Sequence, residues 1–153
     1  MQKSILIAIS AAIISGLAIG VQSSLIGTAG KVTGASLTGL LVNFLGGATA
    51  GIILLVIYFR QGSGTFSGMQ TSTFGMIFAA GVLGIGVITG VAYALPKTGI
   101  AAGLAAIIAG QMVVAVVVDT FGLTGSEPIP LSWTRILGLG LLALGTWAIL
   151  PKE

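Results

Sequence analysis

Five apolar stretches, each near the length that crosses a bilayer, take up most of this chain, and their recurrence constrains the fold more than any single motif. The pattern predicts helices over about 4–28, 35–59, 74–95, 100–118 and 133–150. The first ends in the turn-like Gly30-Lys31-Val32-Thr33-Gly34, and the second stops at Arg60 before the polar Gln61-Gly62-Ser63-Gly64-Thr65. Between the third and fourth stands Pro96-Lys97-Thr98-Gly99, where a residue that interrupts helices meets a charge and a glycine. Asp119 opens the longest mixed loop, which runs to Ser132 and contains Glu127-Pro128-Ile129-Pro130. Residues 1–153 are thus expected to form a single transmembrane domain with its termini on opposite sides of the membrane. Fusing the third and fourth helices across Pro96, or splitting one helix, would instead give four or six crossings.

Composition argues against a water-soluble alternative. Only 6% of the residues are charged, where soluble domains carry roughly 25%, so the chain cannot coat itself with a hydrated surface. Lys3 ahead of an apolar core with Gly16, Ala18 and Gly20 also has the outline of a secretory signal. The run is long for one, and removing it would leave the other apolar segments unexplained. With no Cys and no His, disulfides, thiol chemistry, imidazole bases and the commonest transition-metal ligands drop out. The six basic residues stand singly, so no patch exists to follow a nucleic acid backbone. No nucleophile and base pair or carboxylate dyad can be assembled, so neither an enzyme nor a cofactor is expected.

Most of the 25 glycines fall inside the predicted helices, where each costs about 1 kcal/mol relative to Ala in a soluble helix. Gly16 and Gly20, Gly47 and Gly51, Gly86 and Gly90, and Gly99 and Gly103 form small-xxx-small pairs, which let helix backbones approach closely. Dinucleotide-fingerprint fragments around Gly81, Gly84 and Gly86 lie inside a helix rather than in a strand-to-helix turn and carry no such meaning.

The basic residues supply the most informative negative. Five crossings put Lys3, Arg60 and Arg135 on one side of the membrane and Lys31, Lys97 and Lys152 on the other, three against three. Orientation is set largely by an excess of Lys and Arg on the cytoplasmic side, and here there is none. Copies inserted both ways could pair about an axis in the membrane plane, as the inverted repeats of secondary transporters do. The other reading is one weakly determined orientation fixed by a partner or by the N-terminal amine.

Phe44-Leu45-Gly46-Gly47, Pro96-Lys97-Thr98-Gly99, Ala109-Gly110-Gln111, Asp119-Thr120-Phe121-Gly122, and Arg135 followed by Gly138 occur in this order over nearly the whole chain. In that succession the chain resembles the small, five-helix, YdcZ-like branch of the drug/metabolite transporter superfamily. The resemblance implies an all-α integral membrane fold in which two inverted five-helix halves form a ten-helix transporter, either as an antiparallel homodimer or with a paired partner. It implies residence in the cell (inner) membrane and export of a small molecule by alternating access. Where the family often shows a Pro and an Asn in helix one, this chain has Val21-Gln22-Ser23-Ser24.

A transporter needs polar groups near the bilayer midplane, and such groups are costly in hydrocarbon. Gln22, Asn43, Tyr93 and Gln111 have the capacity to line a cavity and meet a small polar solute. Interhelical bonding is the equally weighted alternative for the amides, and an interfacial aromatic belt for Tyr93 and Trp147. Ser10, Ser15, Thr49, Thr89 and Thr146 are expected to bond back to their own helices. No carboxylate lies in the first three helices, which disfavours cation antiport on a buried acid. Asp119 is expected to pair with Lys97 or Arg135 at a membrane face, or to cap a helix. A dual-topology channel and a half-transporter needing a second protein are the rival functions. Lipid, a second copy and a small-molecule substrate are the expected partners.

Overall fold

A computed structural model describes residues 2–62, 64, 68–123, 125 and 127–151. The loop positions Ser63 and Thr65 and the terminal charge Lys152 lie outside the described residues. Five helices follow one another: α1 (Gln2–Thr33), α2 (Ala35–Gln61), α3 (Thr71–Thr98), α4 (Ile100–Phe121) and α5 (Trp133–Ile149). The first four are long and apolar enough to cross a membrane. At 1.5 Å per residue, the 17 residues of α5 reach about 26 Å, the lower end of what a bilayer core requires.

The helices outrun the sequence expectation at several ends. Residues 30–33 are not a turn: α1 stays helical to Thr33, and Gly34 alone makes the break. Likewise α3 runs through Pro96 to Thr98, and Gly99 alone separates it from α4. Asp119 belongs to the last turn of α4 rather than to the following loop, because the helix persists until Gly122 adopts a left-handed φ of 61°.

The two one-residue corners have nearly the same geometry. Gly34 sits at φ 81°, ψ 154° and Gly99 at φ 78°, ψ 157°, a region open in practice only to glycine. In both, the glycine N–H donates to the carbonyl four residues back, Gly30 at 3.1 Å and Leu95 at 3.0 Å. Its own carbonyl accepts from the residue four ahead, Thr38 at 3.1 Å and Gly103 at 3.0 Å. The preceding threonine donates its hydroxyl to the i−4 carbonyl, Thr33 to Ala29 at 3.1 Å and Thr98 to Ala94 at 3.0 Å. The backbone turns without leaving these donors and acceptors unpaired, which is what a corner in a low-dielectric medium demands.

All fully buried residues among the described ones fall in stretches 23–39 and 91–103, which contain the two corners. Elsewhere most large apolar side chains of every helix are exposed on the chain itself, from Ile5 and Leu6 in α1 to Leu144 in α5. In water this would be untenable, and in a bilayer it is the ordinary lipid-facing or partner-facing condition.

The chain divides into two compact units, Leu25–Tyr93 and the remainder, Met1–Ser24 with Ala94–Glu153. In the first, the end of α1 packs on α3 through Gly30. Pro96 has no N–H to give the Ala92 carbonyl, the acceptor four residues back, so that oxygen is freed from the helix ladder. Gly30 lies against it so closely that a Cβ there would come within 2.6 Å of the Ala92 oxygen. In the same unit Gly39 of α2 sits against the Thr89 side chain of α3. In the second unit, α4 packs along α5, and Gly103 sits beneath Leu95 and Thr98.

Close packing therefore falls on Gly30, Gly39 and Gly103, of which only Gly103 belongs to the pairs read from the sequence. Gly16, Gly20, Gly47, Gly51, Gly86 and Gly90 have no neighbour near the position of a Cβ.

Candidate functional site

Both units hold grooves with polar side chains in them. In Leu25–Tyr93, α2 and α3 leave an open groove of about 580 Å³ lined by Leu40, Asn43, Phe44, Gly47, Gly81 and Ile85. Asn43 is half-buried there. Its Nδ2 donates to the Gly39 carbonyl in its own helix at 2.8 Å and, at 3.5 Å, to the Gly84 carbonyl of α3. The donor side of the amide is thus engaged by backbone, whereas Oδ1 lies over Gly84, where an added Cβ would make ordinary contact with it at 3.4 Å. Phe44-Leu45-Gly46-Gly47 follows directly, and its small residues keep the groove open.

In the other unit a cleft of about 260 Å³ lies between α4 and α5. Met112, Val116, Leu139 and Leu142 form apolar walls, and Asp119 and Arg135 stand at one end. Arg135 Nη2 donates to Asp119 Oδ2 at 3.2 Å. The expected pairing of Asp119 is therefore made with Arg135. Arg135 is placed by the first turn of α5, where Ser132 caps the helix by accepting from the Arg135 N–H at 3.3 Å. The Asp119 carbonyl accepts from Ile129 N at 2.9 Å, drawing the intervening loop back onto the end of α4.

The pair is single-pronged: the fork of a guanidinium can give two parallel bonds to a carboxylate, and here it gives one. Its Nη1 is buried and has no partner among the described residues. A second, apolar groove along the same helices is lined by Ala105, Ile108, Leu141, Gly145 and Thr146. There Thr146 donates to Leu142 in its own helix at 2.8 Å, as expected, and also reaches the Ala105 carbonyl of α4 at 3.3 Å.

Of the four residues expected from the sequence to meet a solute, Asn43 alone lines one of these grooves. Gln22 on α1 and Gln111 on α4 are exposed on the chain, and Tyr93 on α3 is 59% exposed. The sequence leaves Asp119 to pair with Lys97 or Arg135 or to cap a helix, and displays no cleft beside it. The available signal is that the two charges flank one interhelical connection, Asp119 before it and Arg135 after it. Among the described residues no cluster of His, Cys, Asp or Glu could hold a metal ion.

Residues 7–148 match the family model described as "Putative inner membrane exporter, YdcZ". No curated protein and no solved structure matches the chain. Since the matched span takes in all but the ends of the five-helix array, the chain belongs to the YdcZ family and is a multi-pass protein of the inner membrane.

Proposed function

We propose that this protein exports a small molecule by alternating access, as a homodimer of copies inserted in opposite directions. The family match over residues 7–148 is the observation that carries the export reading. Two further features support the paired arrangement. The basic residues divide three and three across five crossings, which removes the usual determinant of a single orientation. Gly16, Gly20, Gly47, Gly51, Gly86 and Gly90 offer small-residue faces that meet nothing within the chain, the kind of surface on which membrane helices associate.

In that assembly lipid covers the remaining apolar surface. Gln111, Asn43, Gln22 and Tyr93 are the polar side chains available to a cavity shared by the two copies. The exposed positions of Gln22, Gln111 and Tyr93 leave them accessible to the second copy or to the solute.

Flux through purified protein in liposomes tests the proposal. Saturable, slow turnover is expected, and large passive currents would replace the transporter with a channel. Single Cys residues introduced at both ends, labelled from one side of intact cells, are expected to report both orientations. Uniform labelling from one side would end the dual-topology reading. For the cavity, Gln111→Ala is expected to weaken transport while the dimer persists, and unchanged flux would remove Gln111 from the site.

A further inference from the structure

The Asp119–Arg135 pair is an odd ornament for a chain with so few charges. Each partner sits at the end of its helix that disfavours it: Asp119 in the last turn of α4, where the helix dipole is negative, and Arg135 in the first turn of α5, where it is positive. Their mutual contact is one bond at 3.2 Å, and the side chains remain 45% and 28% exposed, respectively. A pair retained only to join two helices would gain from a two-pronged contact. This one leaves Nη1 buried and unpaired among the described residues, while Arg135 lines the end of a cleft whose other walls are apolar.

We propose that the α4/α5 cleft is a binding site for a small organic anion, whose carboxylate or phosphate takes both prongs of Arg135 in place of Asp119. The apolar body of that anion lies along Met112, Val116, Leu139 and Leu142. A guanidinium is suited to such an exchange, because its planar fork matches a carboxylate or phosphate and stays charged throughout. Unlike Asp119, the incoming anion is not tied to the negative end of α4. Asp119 then acts as an internal competitor that holds Arg135 when the site is empty. A volume of about 260 Å³ limits the occupant to a small molecule or to the headgroup end of an anionic lipid. None of the four side chains assigned above to the shared cavity lines this cleft, so the proposal adds a second site to the export reading, and it is tested through binding without transport.

Equilibrium dialysis of labelled benzoate against the full chain in phosphatidylcholine nanodiscs provides the test, with benzylamine as a control of similar shape and opposite charge. Saturable benzoate binding is expected, with no benzylamine binding. Arg135→Gln should weaken it about tenfold or more, and Asp119→Asn should tighten it several-fold by removing the competitor. Asp119→Asn retains the arginine, so it tests the site even where Arg135→Gln fails to assemble, and a merely structural pair predicts no tightening. Absence of saturable benzoate binding, equal binding of benzylamine, or no tightening in Asp119→Asn would overturn the proposal. In phosphatidylglycerol nanodiscs, loss of benzoate binding identifies the lipid headgroup as the natural source of the anion, and persistence identifies a soluble one. Liposome flux without benzoate binding would retire the anion site and leave the exporter standing. Binding without flux of any solute would do the reverse.

Discussion

The α2/α3 groove and the α4/α5 cleft are built from the same kinds of residue, glycine and aliphatic walls around one polar feature, yet they treat that feature in opposite ways. Asn43 gives its N–H groups to two backbone carbonyls, Gly39 and Gly84, and sits in a unit where glycines hold helices in close contact. Arg135 gives one bond to a half-exposed carboxylate and keeps a buried N–H unpaired. A neutral amide can be satisfied by backbone alone, so it suits a region whose task is to hold helices together. A guanidinium in an apolar cleft needs an anion, and the one provided by the chain fits only partly. The donor side of Asn43 is taken up in packing α2 on α3, leaving only its oxygen for a solute, whereas the proposed anion exchange at the α4/α5 cleft draws on the unpaired side of Arg135.

The largest expected effect tests the packed region. Gly30→Ala would drive a Cβ into the Ala92 carbonyl, which is backbone and cannot swing aside, so a loss of about 3 kcal/mol is expected in denaturation of the purified protein. Gly140→Ala in α5, where nothing lies near the added methyl, should be neutral or gain up to about 1 kcal/mol. Equal behaviour of the two variants would break the contrast between tight and open helix faces.

Asp119→Ala comes next. It leaves Arg135 without its anion, but both side chains are partly exposed, so the stability loss should be about 1–2 kcal/mol, well short of the cost at a fully buried pair. That loss should shrink when benzoate is added, which would sharpen the distinction between a pair that only supports and one that exchanges.

Asn43→Ala removes one intrahelical and one long interhelical bond and should cost about 0.6–1.7 kcal/mol by the same denaturation, with no response to added anions. Thr146→Val is the smallest. Its hydroxyl keeps only a 3.3 Å reach to Ala105 besides its own helix, so the change should be about 0.5 kcal/mol. A larger loss would mean that α5 depends on this contact more than on its apolar packing.

Much of the architecture was legible in the residues. A chain with apolar runs of this length and few charges has to satisfy its backbone within helices, and the number of runs gives the number of helices. The ends were less legible. Pro96 reads as a break because it lacks an N–H, yet one missing bond does not end a helix whose freed carbonyl meets a glycine from the neighbouring segment. Gly34 and Gly99 proved sufficient as corners by themselves, because a positive φ near 80° turns the chain in one residue while the flanking threonines bond back to their helices. The family resemblance read from short motifs holds over residues 7–148. For the site, the structure places Asn43 half-buried in a groove, whereas the cleft beside Asp119 and Arg135 was not legible, since pairing accounted for both charges and nothing in the sequence displays a cavity.

What the sequence determined by itself is the medium and the element type. Hydrocarbon admits no unpaired backbone, so an apolar chain with this spacing forms helices that lie in a membrane. What only the tertiary structure decided is which of many similar glycines carry contacts and which polar groups keep unused capacity. Gly30, Gly39 and Gly103 are chemically no different from Gly16, Gly47 and Gly86, and only their positions against Ala92, Thr89 and Leu95 set them apart. The unpaired nitrogen of Arg135 is likewise a matter of a few tenths of a nanometre between two helix ends, a distance that side-chain packing fixes and residue order does not.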